Sequence, residues 1–377
     1  MNIKNYKIAI VHDWLTTYAG SERCVESFTN LFPDADIFSL VDFLNDTNRD
    51  IILKGKKAKT SFVQKLPLAS KYHRHYFPLF PLAIEQFDLT KYDLIISSSH
   101  AFAKGVLTNS NQLHICYCYT PIRYAWDLTH QYFDNSTIFG RIQKNVLQPV
   151  LHNIRTWDVA SANRVDYFIG ISNYIAKRIN KIYRRNADVI YPPVDTNKFE
   201  CESVKDNYYL TVSRFVPYKK IDVIAEAFSK MPDKKLVIIG EGSEEQKIKG
   251  KSAKNIEIIN YNQVDNLSKY MQKAKAFVFA AEEDFGISVI EALSCGTPVI
   301  ALNKGGTAET VIDGKLGVHF SNQTPEDIIN AVNKFEKDEA SFDSHFLSNY
   351  AKKFDRTVFE ETFSAYIKTK SDEYFNK

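Results

Sequence analysis

The feature that most constrains the fold is a repeated alternation of short apolar runs with segments of helical periodicity. Five runs in the first half, among them YKIAIV and YDLIISSS, and five in the second, among them KKLVIIG and KAFVFA, have the length of buried strands. Such strands, separated by helix-length segments, predict parallel sheets built from right-handed βαβ units. We therefore expect an α/β fold with two Rossmann-like, doubly wound domains that face a central cleft.

The domain boundaries follow from length and from the linker. A chain of 377 residues is too long for one core of ordinary size and suits two domains. The strand pattern starts afresh after VIYPPVDTNKF, residues 189–199, whose double proline is typical of a stiff connection. The predicted domains are residues 1–190 and residues 191–345. Residues 346–377 are predicted to form a helical segment that packs back across the domains.

The composition excludes several classes of protein. With 44% hydrophobic and 25% charged residues, the chain is typical of a folded soluble protein. The five cysteines are odd in number and no CxxC pair or histidine cluster accompanies them, so neither a disulfide framework nor a zinc site is indicated. The first apolar run, Ile8 to Val11, predicts a strand rather than a signal peptide, and no run reaches the roughly 18 residues of a membrane span. These observations favour a cytoplasmic location, with the inner face of the cell membrane as the alternative.

The stretch AEEDFGISVIEALSCGTPVIA places two carboxylates, Glu283 and Glu291, on either side of a predicted helix start near Gly286. The free amides and the dipole of a helix N-terminus favour an anion, and carboxylates accept hydrogen bonds from vicinal hydroxyls. The spacing therefore fits a nucleotide sugar, with Glu283 on the sugar and Glu291 on the ribose. Its diphosphate would lie at the amides of Phe285, Gly286 and Ile287.

Three motifs in this half of the chain resemble those of the family 4 retaining glycosyltransferases, which have the GT-B fold. EDFGISVIEA followed by CGTPVIA is similar to the family's E-x7-E signature, TVSRFVPYKK to its strand-Arg-x4-Lys, and NKGGTAETV to its Gly-Gly-x-x-Glu loop. The resemblance implies that Arg214 and Lys219 bind the donor diphosphate. It also implies that Gly305, Gly306 and Glu309 form a donor-binding loop.

The same resemblance implies the chemistry. It implies a sugar transfer that retains the anomeric configuration and needs no metal and no cofactor beyond the nucleotide-sugar co-substrate. Arg214 and Lys219 would stabilise the departing diphosphate, and Glu283 would hold the transferred sugar.

The first half of the chain leaves alternatives open. Gly20, in the loop AGSER, either lets the backbone approach a phosphate or an acceptor, or forms an ordinary turn. The family's histidine position holds Tyr119 here, and His100 at the end of a predicted strand is either its catalytic substitute or a structural group. Arg123 and Asp127 in TPIRYAWD either bind the acceptor or belong to a structural ion pair.

Two further features bear on metals and on partners. The DxD formed by Asp34 and Asp36 lies far from the donor motifs and is interpreted as a connection rather than a metal site. Between Ile51 and Ile84, seven Lys or Arg residues occur without one acid, interleaved with aromatic residues. A basic surface gains roughly 1 kcal/mol per residue near anionic lipid, so residues 54–80 are predicted to make a peripheral membrane contact. Nucleic acid fits less well, because no recognised binding motif accompanies the segment.

The segments SSSHAFAKGVL and CYCYTPIRYAWD resemble the bacterial surface-polysaccharide mannosyltransferases. The expected donor is therefore GDP-mannose, and the expected acceptor is a glycan or a polyprenyl-diphosphate-linked sugar. A transferase that uses a UDP-sugar is the first alternative. A UDP-sugar epimerase of the same architecture is the second, and it would release nucleotide without any acceptor. A non-catalytic scaffold is the third, which the intact donor motifs disfavour.

Overall fold

The computed structural model of the protein describes residues 6–127, 138–264 and 266–376. The chain forms two compact units, one of Met1–Tyr191 with Phe359–Lys377 and one of Pro192–Val358. The strands of the first unit are β1 (Ile8–His12), β2 (Asp36–Ser39), β3 (Lys59–Thr60), β4 (Leu94–Ser99), β5 (Leu113–Cys118), β6 (Tyr167–Gly170) and β7 (Ala187–Val189). Its helices are α1 (Gly20–Leu31), α2 (Asp46–Leu53), α3 (Ala69–Tyr72), α4 (Phe80–Glu85), α5 (Ile138–Ala162) and α6 (Asn173–Tyr183).

The sheet of the first unit is parallel throughout, in the order β3-β2-β1-β4-β5-β6-β7. Every residue of β1, β4 and β5 is buried, as expected for central strands that are covered on both faces. The strand order reverses between β1 and β4, where His12 lies opposite Ser98. Open α/β sheets bind ligands at the carboxyl ends of the strands beside such a reversal.

The second unit repeats this plan. Its strands are β8 (Tyr209–Val212), β9 (Leu236–Ile239), β10 (Ile256–Ile259), β11 (Ala276–Phe279), β12 (Val299–Leu302) and β13 (Gly317–Phe320). Its helices are α7 (Ile221–Ser229), α8 (Glu245–Lys251), α9 (Leu267–Lys273), α10 (Ile287–Ser294), α11 (Thr307–Thr310), α12 (Pro325–Asp338) and α13 (Ser344–Ala351). The parallel order is β10-β9-β8-β11-β12-β13, so the reversal falls between β8 and β11.

The last helix, α14 (Arg356–Phe375), begins in the second unit and continues as part of the first. Within the first unit its Phe363 ring lies 4.6 Å from the ring of Phe28 on α1 and 6.0 Å from that of Tyr117 on β5. The carboxyl-terminal residues therefore contribute aromatic side chains to the core of the first unit.

One buried ion pair in the first unit joins α5 to the segment after β4. Lys104 and Asp158 are in contact, and their side chains are 1% and 0% exposed. The carboxylate of Asp158 also accepts hydrogen bonds from Trp126 Nε1 at 2.8 Å and from the Tyr183 hydroxyl at 3.0 Å. Each charge therefore has partners that offset the cost of its burial.

A second ion pair stabilises the chain where α14 begins. Asp195 accepts a hydrogen bond from Arg356 Nε at 2.6 Å and another from Lys198 Nζ at 2.9 Å. Burial by itself raises the pKa of Asp195, but the hydrogen bonds and charges of Arg356 and Lys198 outweigh it and lower the pKa to about 2.

The predicted α/β class with two doubly wound domains is confirmed, and each of the ten predicted strands is present. The sequence did not predict β3, β7 and β13, which are edge strands. β3 and β7 contain no fully buried residue, and β13 reads GVHF, so none of them shows the apolar run that marks a central strand. Within the described ranges, no helix is both long enough and apolar enough to cross a membrane.

Candidate functional site

In the second unit, residues from separate motifs meet at the carboxyl ends of β8 and β11. The chain leaves β8 at Ser213 and reaches a short 3-10 helix, Pro217–Lys219. Lys219 Nζ contacts Glu283 Oε1 across 64 residues of sequence, and the two side chains are only 12% and 20% exposed. The lysine of the predicted Arg-x4-Lys motif and the first glutamate of E-x7-E therefore form one ion pair. Arg214 is exposed, with its Nη2 donating to the Tyr218 hydroxyl at 3.3 Å.

The Gly-Gly loop packs on the backbone beside this pair. Gly306 N donates to the carbonyl of Glu283 at 2.7 Å. A Cβ at Gly305, whose φ is +72°, would lie 2.3 Å from that carbonyl oxygen, and a Cβ at Gly306 would lie 2.4 Å from Phe285 Cα. Because no side chain fits in either place, the glycines set the path of the loop that carries Glu283. Glu309 follows on α11, half-buried.

The helix that the sequence predicts after Gly286 is present. Gly286 caps α10 with a φ of +92°, and Phe285 is buried immediately before it. The amides of Gly286 and Ile287 belong to the N-terminus of an eight-residue helix, where an anion is favoured. Glu291 is the fifth residue of α10 and is 8% exposed.

The sequence did not single out Tyr261, which joins this group from the segment after β10. Burial raises the pKa of Tyr261, the charge of Glu291 raises it further, and the charge of Arg214 opposes this. The Tyr261 hydroxyl is therefore within electrostatic range of both the glutamate and the arginine. Its position as the last residue of the predicted strand IEIINY, at the carboxyl end of the sheet, was the clue that could have identified it.

In the first unit, polar side chains meet at the carboxyl ends of β1 and β4. His12 Nδ1 lies 3.1 Å from the carbonyl oxygen of Ser98, and its Nε2 lies 3.6 Å from Glu22 Oε1. Tyr119 is buried, and its hydroxyl is 2.8 Å from Ser98 Oγ and donates to the carbonyl of Ser21 at 3.0 Å. Burial alone raises the pKa of Glu22, but the hydrogen bond and charge of His12 lower it below its ordinary value.

Asp13 organises the loop that presents His100. Its buried carboxylate accepts four backbone hydrogen bonds, from the amides of residues 100 to 103, at 2.5 to 3.0 Å. The same carboxylate lies 3.1 Å from His100 Nδ1, and the His100 side chain is 24% exposed. Burial lowers the pKa of His100, with the Asp13 charge opposing it. The structure therefore brings His100 and Tyr119 together, with their rings 6.3 Å apart.

The structure places the remaining predicted residues of the first unit in different local environments. Gly20 is the first residue of α1, just before the buried Glu22. Asp127 forms an ion pair with Arg178 of α6, and Arg123 is half-buried. Asp36, from the DxD, is the first residue of β2.

In the DxD motif, Asp36 makes structural contacts within the first unit. The Asp36 carboxylate accepts hydrogen bonds from Tyr92 at 2.5 Å and from Lys59 at 2.9 Å. In the ranges that the structure covers, no cluster of three His, Cys, Asp or Glu side chains is arranged to hold a metal ion.

The family model described as glycosyl transferases group 1 matches residues 194–354, which is most of the second unit. The second unit is therefore similar in sequence to the group 1 glycosyltransferases over the matched residues. The resemblance that the three donor motifs indicated is thereby confirmed at the level of the family.

Curated relatives and solved structures extend the comparison. An uncharacterized glycosyltransferase of Methanocaldococcus jannaschii is 32% identical over 168 residues, 43% of this chain and 47% of that protein. A GDP-mannose-dependent alpha-(1-6)-phosphatidylinositol monomannoside mannosyltransferase of Mycolicibacterium smegmatis is 26% identical over 201 residues, 45% of this chain and 53% of that protein. The match therefore spans about half the length of these two relatives.

The Anabaena protein HepE, solved in complex with UDP, has a TM-score of 0.71 at 16% identity and covers 96% of this chain and 100% of its own. At this identity the likeness shows a shared fold, and it extends over both units.

Proposed function

We propose that this chain is a retaining glycosyltransferase that moves a sugar from a nucleotide-sugar donor to a hydroxyl acceptor, with mannose from GDP-mannose as the first candidate. The observation that carries the proposal is the contact between Lys219 and Glu283 beside the N-terminus of α10. It joins a cation suited to a diphosphate to a carboxylate suited to sugar hydroxyls.

In the proposed reaction, the groups around the leaving diphosphate contribute most to lowering the barrier. As the sugar departs, negative charge grows on the phosphate oxygens, and fixed positive charges close to them lower the barrier most. Lys219, Arg214 and the first amides of α10 supply these charges in the proposal. Glu283 holds the sugar, and Glu291, buried one and a half turns along α10, holds the ribose.

The identity of the donor is part of the proposal. The name of the M. smegmatis relative specifies GDP-mannose, whereas HepE was solved with UDP. An experiment therefore has to distinguish between GDP and UDP as the nucleotide of the donor. The surface-polysaccharide role rests on the sequence resemblance of the first half of the chain.

The first experiment is thermal stabilisation of the full chain by GDP, UDP, ADP, CMP and NAD. A ligand at about 100 times its dissociation constant adds roughly 2.7 kcal/mol of stability. We expect GDP to raise the melting temperature of the wild type and of Glu245→Ala, but not of Glu291→Ala. Glu245 is a partly exposed carboxylate on α8 that pairs with Lys249. A shift with UDP alone would change the donor, and no shift with any nucleoside diphosphate would refute the donor site.

A lipid-linked acceptor at a membrane surface is the second part of the proposal, and the basic aromatic segment (residues 54–80) supports it. Its exposed face carries the large apolar side chains Leu68, Tyr72 and Leu79, with Leu68 70% exposed. Lys65 and Lys71 are also exposed, and among the described residues neither forms an ion pair. Exposed apolar groups flanked by cations suit an anionic lipid surface.

Other lysines of the segment are held within their own unit. Lys56 Nζ donates to the backbone carbonyls of Pro33 and Ala35, and Lys59 pairs with Asp36. The membrane contact is assigned to the part of the segment that begins at Lys65, where exposed cations stand beside the exposed apolar side chains.

Sedimentation with phosphatidylglycerol vesicles tests this assignment. We expect Lys65→Glu/Lys71→Glu to lose most vesicle binding, at a cost of roughly 1 kcal/mol per removed cation. The control is Lys254→Glu/Lys315→Glu, which changes the same charge on exposed sites of the second unit. Equal losses in the two double variants would show only a net-charge effect and would contradict the proposal.

A further inference from the structure

A cavity of about 540 Å³ lies on the second unit, where the segment before β8 meets α13. A thiol and an imidazole, those of Cys201 and His345, both line it. The cavity is distinct from the proposed donor site. A Cβ at Gly296, two residues past the end of α10, would lie 2.8 Å from Cys201 Sγ, whereas the donor motifs surround the start of that helix.

Cys201 is the accessible cysteine of this chain. The structure describes all five cysteines, and four are buried: Cys24, Cys116, Cys118 and Cys295. Burial raises the pKa of the Cys295 thiol to about 12, so that thiol stays protonated at neutral pH. Because thiols react as thiolates, a reactive cysteine needs both access to solvent and a neighbouring group that takes its proton. Cys201 is partly exposed and therefore meets the first condition.

His345 meets the second condition. Cys201 Sγ lies 3.4 Å from the carbonyl oxygen of Ser344 and 3.8 Å from His345 Nδ1. His345 Nε2 lies 3.4 Å from the Ser203 hydroxyl, so the tautomer with its proton on Nε2 donates to Ser203 and leaves Nδ1 to accept from the thiol. The backbone of His345 is fixed at the start of α13, where its amide donates to the Asp343 carboxylate at 2.8 Å.

A buried cation near the thiol also favours its ionised form. Lys205 Nζ donates to three oxygen atoms, the Gln272 carbonyl at 2.8 Å, Thr297 Oγ1 at 2.9 Å and the Cys295 carbonyl at 3.1 Å. Burial lowers the pKa of Lys205 to about 8, and negative charge on Cys295 or Cys201 opposes this shift. Lys205 therefore stays mostly protonated at pH 7, within electrostatic range of the Cys201 sulfur.

The cavity offers both signs of charge beside the thiol. Exposed Lys352 and the exposed carboxylate of Asp343 line it together with Asn349. A small thiol derived from an amino acid carries a carboxylate and an ammonium group, which pair with a lysine and an aspartate respectively. We propose that Cys201 is a modification site, where its thiol forms a mixed disulfide with a small zwitterionic thiol. This inference goes beyond the proposed function, because it involves neither the donor nor the acceptor of a sugar.

The reaction is a thiol–disulfide exchange with the disulfide form of the small thiol. Cys201 Sγ gives its proton to His345 Nδ1 and attacks one sulfur of that disulfide. A bond forms between the two sulfurs, the original S–S bond breaks, and the other half leaves as a thiolate that takes the proton from His345. Cys201 is oxidised and the leaving half is reduced, so the small disulfide is the oxidant.

Intact-protein mass spectrometry on the full chain tests the site, with glutathione disulfide as the probe at neutral pH. We expect the folded wild type to gain one glutathione, on the peptide that contains Cys201, and to lose it again with dithiothreitol. Cys201→Ser is expected to gain none. A wild type that gains no glutathione, or gains it on one of the four buried cysteines, would refute the proposal.

The role of the imidazole is tested by the rate of modification. We expect His345→Asn to react about tenfold more slowly, as for a tenfold smaller fraction of thiolate. The matched control is His152→Asn, the same substitution at an exposed histidine of the first unit, which is expected to react like the wild type. In urea the folded pair is lost, so the Cys201 peptide is expected to react equally fast in all three proteins. A wild-type rate in folded His345→Asn, or an equal slowing in urea, would contradict the pairing.

The charge of the small thiol is tested with a second probe, hydroxyethyl disulfide, which is neutral. We expect Lys352→Met to slow the reaction with glutathione disulfide about threefold, as for the loss of an exposed ion pair, and to leave the reaction with the neutral probe unchanged. Lys315→Met, at an exposed lysine outside the cavity, is the control and is expected to slow neither reaction. Equal rates for Lys352→Met and Lys315→Met with glutathione disulfide would refute the zwitterionic class.

Discussion

Replacing Glu283 with glutamine removes the negative partner of Lys219 and keeps the length and shape of the side chain. In the free protein the pair is largely shielded, with 12% of one side chain and 20% of the other exposed. Two unit charges about 4 Å apart interact by about 4 kcal/mol at an effective dielectric constant of about 20 and by about 1 kcal/mol in water. For a pair shielded to this degree we take an intermediate value of about 2 kcal/mol.

This energy has two opposite consequences for binding and for turnover. In the proposed donor site a nucleoside diphosphate would compete with Glu283 for Lys219, so nucleotide binding would give up part of the 2 kcal/mol of the ion pair. Since 1.4 kcal/mol corresponds to a factor of ten, we expect Glu283→Gln to bind GDP or UDP about three- to tenfold more tightly. We also expect the rate of transfer to fall, because the variant loses the carboxylate proposed to hold the sugar.

Isothermal titration calorimetry with the nucleoside diphosphate, beside a nucleotide-release assay, measures both effects. The control is Lys219→Met, which removes the cation and is expected to weaken nucleotide binding. The double variant closes a thermodynamic cycle, in which the gain from Glu283→Gln is expected to vanish when Lys219 is absent. Unchanged or weaker nucleotide binding in Glu283→Gln would refute the idea that the pair competes with the diphosphate.

Three further predictions concern stability. Because the pKa of Asp195 is lowered to about 2, its ion pair contributes about 2 kcal/mol of stability above pH ~4, and this contribution is lost as the pH falls toward 2. In urea unfolding we therefore expect Asp195→Asn to be less stable than the wild type at pH 7. The difference in stability is expected to shrink between pH 4 and pH 2. Gly305→Ala is expected to be less stable and to bind nucleotide more weakly than the control Gly314→Ala. Gly314 has a similar positive φ, but a Cβ there has no atom within 4 Å. Equal shifts in melting temperature for the two variants would contradict this prediction. Lys104→Met is expected to lower the free energy of unfolding by about 3–5 kcal/mol, because Asp158 stays buried without its cation. The double variant Lys104→Met/Asp158→Asn is expected to recover part of that loss. Denaturant unfolding measures both variants.

The sequence predicted most of the architecture because central parallel strands are buried on both faces. Such strands are largely apolar, so β1, β4, β8 and β11 are visible as short runs rich in Ile, Val, Leu and Phe. The edge strands β3 and β7 were not predicted, because their exposed and half-buried residues do not form a continuous apolar run. The start of helix α10 was predicted near Gly286 from the helical spacing of the apolar residues, and the helix begins at the next residue, Ile287.

The sequence by itself determined the residue types that the proposed donor site requires and their order along the chain. It could not determine which of them touch, because contacts across 64 residues depend on how the strands are ordered in the sheet. Only the tertiary structure decided that Lys219 pairs with Glu283 and that Tyr261 comes within electrostatic range of Arg214 and Glu291. It also decided that Lys56 and Lys59 are held within their own unit. The thiol of Cys201 likewise meets the His345 ring across 144 residues of sequence, because the packing of α13 against the end of α10 brings the two together.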